Sequence, residues 1–224
     1  MQCPKCHSPD RRKAGFIGGK QRWLCKGCGC KYTRSTPHGK PPEMKRLALQ
    51  LYLEGMGFRA IGRVLKVSNV TVLMWIRTFG EEVKRARKPG PPPKIAMIDE
   101  MRFHSRPKST CRLWISLRYF SGRILGVHLG GRGAEDLKDF LKVFPEAKGK
   151  ITFTDDYASC AAVLPQGAHF TGKSLTQKLE SLNANVRHRL ARFARRARCT
   201  TKRPRMAYLS ARLFMRDHNE RLIG

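Results

Sequence analysis

Two short apolar runs, each ending on an aspartate, constrain this chain more than any other feature. In KIAMIDEM, Ile95, Met97 and Asp99 share strand parity; in ITFTDDY, Ile151, Phe153 and Asp155 do the same. β-Branched and aromatic residues dominate the second run, as expected of a buried strand. If the two strands are parallel neighbours, Asp99 and Asp155 emerge from matching ends of one sheet. Downstream, Ser174 and Gln177 form a capping box, and Leu175, Leu179, Leu182, Val186, Leu190 and Phe193 recur at helical spacing. Glu180 therefore lies on the flank of a long helix. Asn183 and Arg187 share roughly its face, because seven residues fall only about 20° short of two turns.

Asp99, Asp155 and Glu180, once converged, could not keep three charges together without cations. Two divalent ions, Mg²⁺ or Mn²⁺, about 3.5–4 Å apart would activate an attacking oxygen and stabilise a leaving one in phosphodiester chemistry. Taken singly, each acid is an ordinary strand-end or helix-surface residue; taken together they point to a metal site.

Carboxylates are otherwise scarce. Lys and Arg number 46 against 16 Asp and Glu, a net charge of +30. A polyanion partner accounts for that excess, through phosphate contacts that release counterions. Residues 1–94 hold 21 basic and 5 acidic residues, 95–180 hold 13 and 9, and 181–224 hold 12 and 2. Near-balance thus coincides with the aspartate strands, and the basic excess flanks them. No apolar run reaches the roughly 18 residues that span a bilayer, and the N-terminus has no apolar signal core. A soluble protein with no membrane partner is expected, in the compartment of its nucleic acid.

Residues 1–36 carry two knuckles, Cys3-x2-Cys6 and Cys25-x2-Cys28. Four thiolates at this spacing suit a tetrahedral structural Zn²⁺. The intervening segment reads as a hairpin turning at Gly18 and Gly19, with Phe16, Trp23 and Leu24 covering the site. Disulfides are the alternative, but the remaining cysteines offer no framework. Cys30 and His7 are expected not to bind metal, and Cys111, Cys160 and Cys199 to act as small buried hydrophobes.

Residues 42–84 predict three helices: one through Leu47, Leu51 and Tyr52, a second from Phe58 to Leu65, and a third capped by Ser68 with Val72, Leu73 and Ile76 inward. Small residues, Ala60 and Gly62, stand at the crossing. Helix, tight turn, helix is the helix-turn-helix pattern, which would aim Asn69, Thr71, Met74 and Arg77 at DNA. An ordinary three-helix bundle would read the same way. Residues 85–94 turn basic and Pro-rich, a semi-rigid linker and the best domain boundary.

From 95 to 224 the pattern is three strands, an amphipathic helix at Ala134–Val143, a fourth strand and a helix. That is the order of an RNase-H-like α/β core, in which the first and fourth strands lie side by side. The expected fold is therefore multidomain α+β: zinc ribbon, helix-turn-helix, then RNase-H-like domain. GVHLGGRG reads as a strand-end turn rather than a phosphate loop. Beyond Glu180 the helix becomes basic, and Arg192 and Arg195 are expected to meet DNA backbone. The tail from Thr200 shows no pattern to assign.

The CPKC and CKGC knuckles, the helix-turn-helix, IDEM around Asp99, TDDY around Asp155 and LPQGAHFTGKSLTQKLESLN through Glu180 closely resemble the transposases of the bacterial insertion-sequence-one family. The resemblance covers nearly the whole chain. It implies a ribbon and helix-turn-helix that bind terminal inverted repeats, and an Asp-Asp-Glu domain in which Asp99, Asp155 and Glu180 hold the catalytic metal. It places Asn183 and Arg187 against DNA near the cleaved bond. Arg102 and Phe103 replace an expected aromatic, and Tyr157 stands where the family often has Trp. The implied activity is DNA cleavage and strand transfer by a cytoplasmic, nucleoid-associated bacterial protein. Its partners would be double-stranded DNA and, since an element has two ends, at least one further copy of the chain. A DNA-binding regulator without catalysis, or an RNase-H-like nuclease or resolvase, would share much of this sequence.

Overall fold

The computed structural model describes residues 2–33, 40–86, 90–106, 109–155, 158–194, 201 and 203–222. They fall into two compact units, Met1–Pro41 and Pro42–Gly224.

In the first unit, β1 (Arg11–Ile17), β2 (Lys20–Cys25) and β3 (Lys31–Thr33) form an antiparallel sheet in that order. Gly18 and Gly19 turn the hairpin with φ of +52° and +72°, values that a Cβ would disfavour. Cys3, Cys25 and Tyr32 are buried beneath Trp23, over which Arg11 lies at 4.7 Å. Phe16 does not cover the knuckles as expected. A register shift between Lys13 and Phe16, at Gly15 with φ +81°, resets the strand, and Phe16 is left exposed.

The second unit opens with α1 (Pro42–Leu53), α2 (Phe58–Leu65) and α3 (Asn69–Ala86). Lys66 ends α2 in the left-handed region, and Ser68 Oγ accepts the Thr71 amide at 3.0 Å to start α3. Gly62 permits the tight crossing: a Cβ there would stand 2.7 Å from the Val67 carbonyl oxygen. Then follow β4 (Ile95–Arg106), β5 (Ser109–Arg118), β6 (Ile124–Gly130), α4 (Ala134–Val143), β7 (Ile151–Thr154), α5 (Ala158–Val163), β8 (His169–Thr171), α6 (Lys173–Arg189) and α7 (Pro204–Arg221). The five strands make one mixed sheet in the order β6-β5-β4-β7-β8. β4 and β7, the first and fourth strands, are parallel neighbours as anticipated, with Ile95 opposite Ile151 and Met97 opposite Phe153. One face buries Ile98 and Trp114 against Leu137 and Phe140 of α4; the other packs Met97 and Ile115 with Leu179 and Val186 of α6 and Leu213 of α7.

Four differences from the expected layout bear on the site. α5 and β8 stand between β7 and α6, where only a connection was anticipated. α6 begins one residue before Ser174, with Gly172 at the cap position. It stops at Arg189, and a 3₁₀ turn covers Ala191–Phe193 instead of more helix. The unassigned tail is α7, whose Leu209, Leu213 and Phe214 are buried. Because α7 packs on both α3 and β6, the three helices and the sheet share one core, and the Pro-rich segment divides no separate domain in the second unit. Cys160 is buried as expected, whereas Cys111 is half-buried, and Cys199 lies outside the described residues. In the GVHLGGRG turn, Asp136 accepts the amides of Gly131 and Gly133 at 2.6 and 3.0 Å, so the protein's own carboxylate fills the nest of amides.

Candidate active site

β7 pairs with β4 only as far as Met97 and Phe153, and then ends. Past that point the edge of β4 at Asp99 and Glu100 is open, and Asp155 emerges beside it. Thr154, fully buried, fixes the strand end: its hydroxyl donates to the Asp155 carbonyl at 2.7 Å and lies 2.7 Å from His169 Nε2. Carboxylate oxygens of Asp99, Glu100 and Asp155 all lie within 4.8 Å of one another.

Asp99 is held from two sides. Its Oδ1 accepts the Glu100 amide at 2.7 Å, and its Oδ2 accepts Asn183 Nδ2 of α6 at 2.8 Å. Burial pushes its carboxyl up to about 6; the charges of Glu100 and Asp155 add to this, and the two donors oppose it. Glu100 reaches the same edge from the opposite face of β4. Its side chain is 3% exposed, and Oε1 accepts Arg112 at 3.1 Å and Arg132 at 2.8 Å. Burial raises the Glu100 carboxyl too, with the Asp155 charge next, against the pull of the two arginines. Among the described residues, Asp155 Oδ1, Glu100 Oε2 and Asn183 Oδ1 are buried acceptors with no donor. Unpaired acceptors are costly in a folded interior, and an all-oxygen set of this kind fits a hard divalent cation.

The structure brings Asp99 and Asp155 together but leaves Glu180 outside the group. Glu180 is exposed on α6, one turn before Asn183 and on its side of the helix. Like charges repel, and a carboxylate with access to water stays hydrated. Asn183, expected against DNA, is instead 5% exposed and braces Asp99. Arg187 is half-buried and lines a cavity of about 400 Å³ with Arg102, Phe103, His104, Phe193 and Ala194. Arg192, also expected on DNA, turns inward: its Nε donates to Tyr52 Oη at 2.6 Å, and its guanidinium lies over the rings of Tyr52 and Phe58. Arg195 lies outside the described residues.

On α3, Asn69 and Met74 are exposed, while Thr71 and Arg77 are half-buried. The cleft at this turn is lined by Arg59, Arg63 and Lys66 as well as Ser68 and Asn69, a basic surface that α3 alone did not reveal. Glu100 was also missed, since strand parity assigns it to the face opposite Asp99. The available signal was chemical: a carboxylate beside Asp99 in a chain that has few.

In the first unit, Cys3, Cys6, Cys25 and Cys28 offer sulfurs within 4.8 Å of one another, with Cys3–Cys28 and Cys6–Cys25 at 3.6 Å. A tetrahedral site with bonds of about 2.3 Å requires sulfurs about 3.8 Å apart. The set fits one ion with small adjustments of the side chains.

A mixed sheet that brings two half-buried aspartates to one edge of a strongly basic chain offers the donor set of a metal-dependent phosphoryl-transfer enzyme. The sequence matches the IS1 transposase family over residues 95–210, just over half its length, and the chain belongs to that family. It is a DDE-type transposase, an enzyme of DNA cleavage and strand transfer. A curated relative, the InsB protein of insertion element iso-IS1n from Shigella dysenteriae, is 29% identical over 90 residues, 40% of this chain and 69% of the relative. Among solved structures, the HTLV-2 integrase catalytic core domain in complex with magnesium aligns with TM-score 0.37 and 16% identity, covering 57% of this chain and 86% of its own. The Mos1 strand transfer complex aligns with TM-score 0.24 and 14% identity over 66% of this chain and 59% of its own. No helix among the described residues is long and apolar enough to cross a membrane.

Proposed function

We propose that this transposase recognises the terminal inverted repeats of its element through the ribbon and helix-turn-helix, and cuts and joins strands at a site built on Asp99, Asp155 and Glu180. The observation that carries the reading is the convergence of carboxylate oxygens of Asp99, Glu100 and Asp155 within 4.8 Å, with Asp155 Oδ1 and Glu100 Oε2 buried and donorless among the described residues. Asp99 and Asp155 would hold Mg²⁺ or Mn²⁺, and Glu180 would complete the set from the open side once DNA is in place. Bound there, such ions supply Lewis acidity that activates the attacking oxygen and offsets charge on the departing 3′ oxygen.

The chain's own part is positional. The Glu100 amide and Asn183 fix both oxygens of Asp99, and the Thr154 hydroxyl fixes the backbone that presents Asp155. Cys3, Cys6, Cys25 and Cys28 would hold a structural Zn²⁺. Asn69, Thr71, Met74 and Arg77 would face the groove, and Arg187 the DNA beside the cleaved bond. Two element ends require at least a dimer.

A strand-transfer assay with a labelled element end tests this. Asp155→Ala should lower cleavage by at least about 10³-fold and leave repeat binding unchanged. Cleavage at the wild-type rate in this variant would remove Asp155 from the site.

A further inference from the structure

Glu100 has more acceptor capacity at the site than its ion pairs use. Both arginines crowd onto Oε1, and Oε2 is buried with no donor among the described residues. A carboxylate serving only as an ion-pair partner would share two arginines between two oxygens, because a fork-to-fork arrangement satisfies more lone pairs. Here one oxygen is pinned and the other takes no donor, while the Glu100 carboxylate stands with an oxygen within 4.8 Å of oxygens of Asp99 and Asp155.

We infer that Glu100 is a third carboxylate ligand of the divalent-cation site, acting with Asp99 and Asp155 in the DNA-free protein while Glu180 stands in solvent. This rests on the reading that the two aspartates hold the cation. Chain topology makes it possible. Asp99 and Glu100 leave opposite faces of β4, but β7 has ended and the strand edge between the faces is open, so the longer glutamate arm reaches round to it. The distances are close to those required. Oxygens about 2.1 Å from one Mg²⁺ stand at most about 4.2 Å apart, so a group already within 4.8 Å closes on an ion by small side-chain movements. Asn183 is a second buried side chain at the group with acceptor capacity to spare. Its amide nitrogen donates to Asp99 Oδ2, and its Oδ1 is buried with no donor among the described residues. Arg112 and Arg132 offset part of the local negative charge, so that three carboxylates can share one edge before the ion arrives.

The test is Mn²⁺ binding to the full-length, DNA-free protein, read by the electron paramagnetic resonance signal of free Mn²⁺. Glu100→Gln keeps the side chain's shape and an oxygen for the arginines; it should weaken Mn²⁺ binding at least about tenfold, while Glu180→Gln changes it less than about twofold. Asp155→Asn should abolish binding. Wild-type affinity in Glu100→Gln alongside loss in Asp155→Asn would reduce Glu100 to an ion-pair partner and overturn the inference. Unchanged affinity in Asp155→Asn would instead overturn the metal-site reading beneath it. Equal weakening by Glu180→Gln and Glu100→Gln would also overturn the inference, by placing Glu180 in the DNA-free set. If Glu100→Gln does not fold, Glu100→Asp, which keeps the charge but withdraws it by one methylene, should show the same loss, and wild-type affinity there would count against the inference equally.

Discussion

Asp99 and Asn183 illustrate how one side chain sets another's chemistry. Burial holds the Asp99 carboxyl near 6, and a cation must displace its proton to bind. Cation affinity in the absence of DNA should therefore weaken as pH falls through about 6. Asn183 donates to the charged form, so Asn183→Ala makes ionisation harder and should move the midpoint of that pH dependence upward, with Mn²⁺ affinity at neutral pH down about tenfold. A midpoint that stays put or moves down would show that Asn183 does not position Asp99. Sequence alone put Asn183 on the helix face that meets the aspartates, because helical period suffices for that. It could not distinguish an amide that touches DNA from one that touches a carboxylate.

Among the elements, the α2–α3 turn and α7 carry the sharpest expectations. Gly62→Ala places a methyl 2.7 Å from the Val67 carbonyl, where backbone rather than a flexible side chain must yield. It should destabilise the protein by about 1–3 kcal/mol, seen as a lower Tm, and weaken repeat binding. α7 buries Leu209, Leu213 and Phe214, each contributing about 1.5–3 kcal/mol. Their sum rivals the whole stability of a typical domain. A chain ending at Thr201 should accordingly lose its cooperative thermal transition; a normal melt would show that α7 is dispensable. α7 escaped notice because its core face includes Arg212 and the small residues Ala207, Ser210 and Ala211, which blur an apolar stripe. Arg212 is buried by stacking on Phe144 and Tyr208 and bonding the Tyr208 hydroxyl, an arrangement invisible to a count of charges.

For the molecule as a whole, the shared core from Ala48 to Phe214 predicts that the helix-turn-helix and the sheet unfold together. The ribbon, with its own small core of Cys3, Cys25 and Tyr32, depends on its thiol cluster. Chelation of Zn²⁺ should abolish the ribbon's structure while the main calorimetric transition of the second unit remains, and should weaken repeat binding. If chelation left both the ribbon and repeat binding intact, the cluster would hold no structural metal.

What the sequence determined by itself was whatever repeats over a few residues: the parity that carries Asp99 and Asp155, the helical spacing that carries Glu180 and Asn183, the cysteine knuckles, and the Ser68 cap. Periodicity and capping are properties of neighbours along the chain. Tertiary structure decided which faces those elements share: that Glu100 joins the aspartates round an open strand edge, that Glu180 stays in water, that Arg192 turns inward onto Tyr52, and that α7 welds the helices to the sheet. These depend on where β7 stops and which surfaces meet, and contacts between residues far apart along the chain leave no local period to read.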